Sequence, residues 1–264
     1  MSAWIVVSAR MASARYPGKA LVPLAGRPLL EVLLQRMKAA RGVAGVALAT
    51  SIQEENTPLA ELARHLGVVA FRGPEDDVLR RYVDCAHALG ARHVVRVTAD
   101  NPLTDLETLE ALVALHLAHG ADYTYVPGPA LLMGILSEVI STAALERSWE
   151  RGQPRHRSEL TTLYIKENPQ EFRIETGTLP DGLLRPYRLT VDEPEDVALV
   201  QELFARLAAP GHLVSTREAI ALLDRAPELA ALNAHLTHKA HNLRSVALDE
   251  AITNGATEPQ RTRR

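Results

Sequence analysis

The chain has 264 residues, 47% of them hydrophobic, which is enough to bury a full core as one large domain. A formal net charge of -3 and a pI near 6.4 exclude nucleic acid or a membrane surface as the main partner, since both demand a basic excess. The single cysteine, Cys85, forms no internal disulfide, and the short apolar run of MSAWIVVSAR is too brief for a signal segment or a bilayer span, so a cytoplasmic protein is expected.

In chain order, Trp4 to Val7 is a predicted strand, Leu29 to Arg41 a helix and Val46 to Ala49 a strand. Leu59 to Leu66 is helical, Val68 to Phe71 extended, and Asp77 to Leu89 helical with Cys85 on its buried side. Val94 to Val97 then runs into the polar turn Thr98 to Pro102, and Leu106 to His119 is the next helix. Strands that are continuously apolar and alternate with helices imply an α/β fold, a mostly parallel sheet with helices on both faces. Beyond Tyr123 the pattern is broken by a Gly/Pro-rich stretch. A strand at Ser137 to Ser141 and helices at Ala143 to Glu150 and Ser158 to Asn168 suggest an inserted arm over 130–170. Phe172 to Thr178 and Tyr187 to Leu189 read as strands, and Pro194 opens a helix to Leu207. The expected organisation is a main domain over 1–210, a helical appendage over 211–248, with starts at Ser215 and Pro227, and a disordered tail over 249–264.

The most informative segment is ARMASARYPGKALVPLAG, which leaves the first strand with Arg10, Arg15 and Lys19 around Pro17-Gly18. Only Lys19, Lys38, Lys166 and Lys239 are lysines among 29 basic residues, so a lysine here is a departure from this chain's habit. Lysine offers a mobile point charge where arginine offers a fixed fork. The spacing matches neither GxGxxG nor GxxxxGK[ST]. By residue type the segment is either a different phosphate cradle or a solvated loop with chance basic residues. Asp100 and Asp192 each follow an apolar strand in DNP and DEP. Alone, each could be a helix cap or turn residue; together at the carboxyl edge of the sheet they suit Mg2+, which takes oxygen ligands and shares them with substrate phosphates. Glu195 and Asp196 read as favourable charges in a first helical turn. His235, His238 and His241 lack the second half of a zinc site, and no GxSxG serine or activated cysteine offers a covalent nucleophile.

ARMASARYPGKALVPLAGRPLLE, FRGPEDDVLRRY, VVRVTADNPLTD and RLTVDEPEDVALV, in that order over residues 3 to 207, resemble the spore coat polysaccharide biosynthesis protein F-like cytidylyltransferases, relatives of acylneuraminate and 3-deoxy-manno-octulosonate cytidylyltransferases. The resemblance implies a nucleotide-diphospho-sugar transferase fold and Mg2+-dependent transfer of CMP from CTP to an acidic sugar or sugar-like acceptor, with release of pyrophosphate. By the same resemblance Arg10, Lys19 and Asp100 would be catalytic. Ala9, Arg10, Met11, Arg15, Lys19, Arg72, Gly73 and Asp100 would meet the nucleotide, and Asp100 and Asp192 would hold the metal. Glu138 and Glu159 would meet the acceptor. Leu136 stands where the family carries an acid, and Leu160 and Leu163 stand where it carries histidine and proline, while Glu138, Glu159 and Thr162 match. Retained nucleotide binding with altered acceptor choice is the reading these departures suggest. A homodimer through the 130–170 region is expected by analogy. Two alternatives share the fold: a nucleotidyltransferase using another NTP and a sugar phosphate, and a nucleotide-binding homologue without turnover.

Overall fold

A computed structural model of the chain describes residues 3–13, 15–127 and 134–236. Its centre is a seven-stranded sheet in the order β5-β4-β1-β6-β8-β7-β9. The strands are β1 (Ala3–Ser8), β4 (Gly45–Ser51), β5 (Val69–Gly73), β6 (His93–Thr98), β7 (Tyr123–Tyr125), β8 (Glu138–Ser141) and β9 (Ile174–Thr176). Only β8 runs against the rest, pairing antiparallel with both β6 and β7. A second, two-stranded sheet, β2 (Pro23–Leu24) with β3 (Arg27–Pro28), turns on Ala25 and Gly26, both at positive φ, as a tight hairpin requires.

The helices follow from the apolar periodicity. Helices α1 (Leu29–Lys38), α2 (Thr57–His65) and α4 (Leu106–His119) bury Leu30, Leu33, Leu59, Leu109 and Leu112 against Ile5, Val7, Leu48 and Val95 on one face. On the other face α3 (Val78–Ala88), α5 (Thr142–Arg151) and α6 (Leu163–Glu167) cover Val6, Ala47, Val94 and Ile140 with Leu79, Tyr82, Leu145 and Ile165. Neighbouring residues of one strand thus point into different cores, which explains why the strands read as continuous apolar runs. Side-chain caps mark the helix starts: Asp77 accepts from the Arg80 N–H, Asp105 from Thr108 and Ser141 from Ala144.

Two expectations are corrected. The segment over 130–170 is not wholly an arm: β8 lies inside the main sheet and α5 packs on its face, because Val139 and Ile140 each have an apolar core to enter. Tyr187 to Leu189 forms no strand; instead the Val191 N–H just beyond it donates to the Asp100 carbonyl at 2.8 Å. Residues 211–236 carry helices that pack onto the main domain. Helices α7 (Pro194–Leu207), α8 (Thr216–Arg225) and α9 (Pro227–Ala230) share a third apolar cluster with Leu24, Leu103, Ile135 and Val191. The Ser215–Glu218 capping box starts α8 as its spacing indicates. The tail over 249–264, His238 and His241 lie outside the described residues, and His235 is 3.9 Å from Glu195.

Candidate functional site

The site lies where β1 and β6 end side by side. Their parallel register pairs Ser8 with Thr98, and the Ala99 N–H extends the pairing to the Ser8 carbonyl. The chain leaving β1 is then folded by its own backbone. Ala9 donates to the Ala49 carbonyl, Met11 donates to Asn56 Oδ1 at 2.7 Å, and the Met11 carbonyl receives the N–H groups of Ser13 and Gly18. Gly18 has φ of 75°, the left-handed conformation that favours glycine, and it delivers Lys19 to the start of a single 3-10 turn, Lys19–Leu21. Asn56, fully buried and bonded to Ser51 Oγ, is the anchor of this loop.

The opposite wall is built from the turn after β6 and the turn before α7. The Val191–Asp100 backbone bond brings Asp192 beside Asp100. Arg36, buried in α1, clamps the Asp100 turn by donating to the carbonyls of Pro102, Thr104 and Val214; burial depresses its pKa to about 10, against the attraction of Asp105 and Glu218. Asp196 is the hub of the Asp192 turn. Fully buried, it accepts both prongs of Arg188 at 2.8 Å, the backbone N–H groups of Asp192 and Glu193 at 3.0 Å, and Asn233 Nδ2 at 2.8 Å. The first-turn reading of Asp196 is therefore incomplete: helix-dipole attraction accounts for its position, and five donors account for its burial.

Lys19 Nζ sits between the two aspartates, 2.7 Å from Asp100 Oδ2 and 2.8 Å from Asp192 Oδ1. Arg15 pairs with Asp192 and with Glu193, and Arg10 pairs with Glu75 and Glu159. The loop is thus no solvated accident; each of its three cations is held by two carboxylates. Burial lowers the Lys19 pKa, but Asp100 and Asp192 outweigh it and the net shift is upward. Burial likewise raises the Asp192 pKa, and Lys19 with Arg15 overcomes it to leave the carboxyl at about 2. At an effective dielectric of about 20, one such contact near 3 Å is worth roughly 5 kcal/mol before desolvation.

Arg72 and Gly73 stand farther out, at the end of β5. The Arg72 guanidinium donates to the carbonyls of Ser51, Ile52 and Gln53 and to Thr57 Oγ1, while the Gly73 carbonyl accepts from Ile52. Both shape the loop after β4. Toward the other side, Glu138 accepts from Tyr123, from Arg96 at 2.7 Å and from Thr162 at 3.2 Å, with Lys166 at 3.7 Å. Burial pushes this carboxyl up, yet Arg96 and Lys166 bring it down to about 2. Exposed Glu159 reaches Arg10, and its carbonyl receives Arg96. Glu138 and Glu159 therefore lie at opposite ends of one chain of contacts that starts at the basic loop. Leu136 is partly buried against the first and third apolar clusters, which explains how this chain tolerates an apolar side chain there.

The family model for cytidylyltransferases matches residues 4–207. The chain belongs to the cytidylyltransferase family. The spore coat polysaccharide biosynthesis protein SpsF of Bacillus subtilis is 34% identical over 231 residues, covering 85% of this chain and 95% of that protein. A 3-deoxy-manno-octulosonate cytidylyltransferase of Anaeromyxobacter is 36% identical over 112 residues, 41% of this chain and 45% of that one. Among solved structures, a cytidylyltransferase from Leptospira borgpetersenii superposes with a TM-score of 0.81 at 25% identity, covering 90% of this chain and 99% of its own. The chain is accordingly a nucleotidyltransferase of the cytidylyltransferase family, with the α/β nucleotidyltransferase fold. Among its described residues no helix is long and apolar enough to cross a membrane.

Sequence reasoning reached Arg10, Arg15, Lys19, Asp100 and Asp192, which the fold gathers. It assigned no role to Asn56, Arg36, Arg188 or Arg96 and read Asp196 only as a first-turn charge, because their hydrogen-bond partners are set by the fold.

Proposed function

We propose that this cytidylyltransferase moves CMP from CTP onto a hydroxyl of an acidic, sugar-like acceptor, with Mg2+ held by Asp100 and Asp192. The observation that carries this reading is the convergence of both aspartates on one cation, Lys19, beneath a loop whose other cations are also charge-paired. Three cations (Arg10, Arg15, Lys19) face five carboxylates (Glu75, Asp100, Glu159, Asp192, Glu193), an arrangement that repels a bare triphosphate and favours one that arrives with divalent charge. The donors are hard oxygens, as Mg2+ prefers, and it commonly takes only one or two carboxylates beside substrate phosphates and water. No larger group of His, Cys, Asp or Glu suited to a metal occurs among the described residues. Similarity to a spore coat polysaccharide biosynthesis protein and to a 3-deoxy-manno-octulosonate cytidylyltransferase supports a sugar-like acid as acceptor.

In this reading the acceptor oxygen attacks the α-phosphorus, the bond to the bridging oxygen breaks, pyrophosphate departs and the hydroxyl proton passes to solvent. The Arg10 and Arg15 guanidinium groups orient the phosphates, and Lys19 neutralises charge that grows on the leaving group. Bound Mg2+ would supply Lewis-acid screening of the phosphate oxygens. Arg96, fixed by Glu138, places a further cation on the acceptor side. Homodimerisation belongs to the same proposal by analogy, and light scattering tests it.

Pyrophosphate release and thermal shift with each of the four NTPs plus Mg2+ test the assignment. Selective stabilisation and turnover with CTP are expected, because a ligand that binds only the native state raises apparent stability. Equal responses to all four nucleotides overturn the CTP assignment, and nucleotide binding without pyrophosphate release identifies a binding homologue.

A further inference from the structure

Lys19 does more than wait for a phosphate. Its ammonium, with only 14% of the side chain exposed, fills the gap between Asp100 and Asp192, with both contacts at hydrogen-bond length. Arg15 closes on the same Asp192, and the Arg188 guanidinium lies 3.6 Å from its other oxygen. A divalent ion approaching these carboxylates therefore meets a positive charge already seated where its own ligands converge. The ammonium can leave only if another anion compensates it, because a buried cation stripped of its partners is costly. Within reach of its flexible stem, the anion that the loop is shaped to take is the triphosphate.

Resting on the metal reading above, we propose that Lys19 is a resident counter-cation that closes the Asp100–Asp192 pair to free divalent ions. The site then accepts its metal only together with a nucleoside triphosphate, whose phosphates draw Lys19 out of the gap. The substrate is the metal–nucleotide chelate, not metal and nucleotide bound at separate times. Coupling of this kind is reciprocal, so metal and nucleotide each strengthen the other's binding.

The test uses Mn2+ as a spectroscopic stand-in for Mg2+, both favouring oxygen donors, with no nucleotide present. Free Mn2+ is followed by electron paramagnetic resonance in the full chain and in Lys19→Gln, Lys19→Arg and Lys19→Gln/Asp192→Asn. Lys19→Gln should bind Mn2+ at least about ten-fold more tightly than the unsubstituted chain, within the usual range of coupling between sites. Lys19→Arg, which keeps the charge, should bind as weakly as the unsubstituted chain, and the double substitution should lose the gain. Equal tight binding by the unsubstituted chain and Lys19→Gln refutes the counter-cation role while leaving the metal site intact. Weak binding by every variant also refutes it, and Mg2+-dependent pyrophosphate release then decides separately whether the metal reading survives. Should Lys19→Gln be unfolded in chelator, rescue by Mn2+ but not by NaCl of equal ionic strength gives the supporting result, and no rescue gives the refuting one.

Discussion

Asp196→Asn is the sharpest probe of how the Asp192 turn is held. The substitution keeps the shape of the side chain and replaces one oxygen by an NH2 group. In the native turn all five contacts to Asp196 are donations to it: two from Arg188, two from the backbone of Asp192 and Glu193, and one from Asn233. An amide nitrogen in either oxygen's place confronts a donor with a donor, and the negative charge facing a buried guanidinium is lost. Breaking one side of a buried ion pair costs about 3–5 kcal/mol. With roughly 2–4 °C of Tm per kcal/mol for chains of about this size, Tm should fall by roughly 10 °C. Calorimetry and urea unfolding measure the loss. Because Asp192 hangs on the same hub, the Mg2+ concentration needed for half-maximal pyrophosphate release should rise as well. A cost under about 1 kcal/mol, the range of exposed pairs, would show that Asp196 is not the keystone that its hydrogen bonds indicate.

Gly134→Ala should disturb the same turn from the opposite side. A Cβ there would lie 2.3 Å from the Leu189 carbonyl carbon and the Thr190 nitrogen, at a φ of 97° that favours glycine, and a loss of at least about 2 kcal/mol in urea unfolding is expected from strain and overpacking. A neutral result would mean that the Leu189–Thr190 backbone can retreat freely. Asp192→Asn should raise the Mg2+ concentration needed for half-maximal pyrophosphate release, and unchanged Mg2+ titrations would remove Asp192 from the site. Far from it, His116 donates to or accepts from His93 at 3.0 Å and Thr124 at 2.8 Å, and burial, reinforced by His93, pushes its pKa down to about 4. The unfolded chain takes up this proton first, so the stability is full above about pH 6.5 and declines toward pH 4, by roughly 3 kcal/mol in all. His116→Gln should flatten that decline in unfolding measured at pH 7.5 and pH 4.5; an identical decline in the variant would place the acid sensitivity elsewhere.

What was legible in the sequence, and what was not, separates along a physical line. A strand that enters two apolar cores and a helix with one apolar stripe are local patterns, so β1, β4 and β6 and helices such as α4, whose span from Leu106 to His119 agrees with the expected one, can be read directly. Lys19 stood out because lysine is rare in this chain, and Asp100 and Asp192 because each follows an apolar run with a proline two residues on. The groups that hold them act at a distance. Asn56 reaches Met11 across 45 positions and Arg36 reaches Pro102 across 66, and neither choice of residue type is dictated by its neighbours in sequence. The same holds for the arm: Val139 and Ile140 look like any short apolar run, and their place in the sheet depends on β6 and β7 being there to receive them.

That division also bears on how the site works. The residues that could be read carry the charges that meet at the sheet edge, whereas Asn56, Arg36 and Asp196 are buried and hydrogen-bonded to the loops that present those charges. Asp192 pairs with Lys19 through its side chain while its backbone is fixed by Asp196. A site meant to trade an ammonium for a metal and a triphosphate needs that combination, because a mobile carboxylate would follow Lys19 out of the gap. The coupling proposed for Lys19 should therefore depend on Asp196 as well. In Lys19→Gln/Asp196→Asn, the Mn2+ affinity gained by removing the ammonium should be partly lost again although both aspartate ligands remain, and full retention of the gain would show that the turn needs no such anchor.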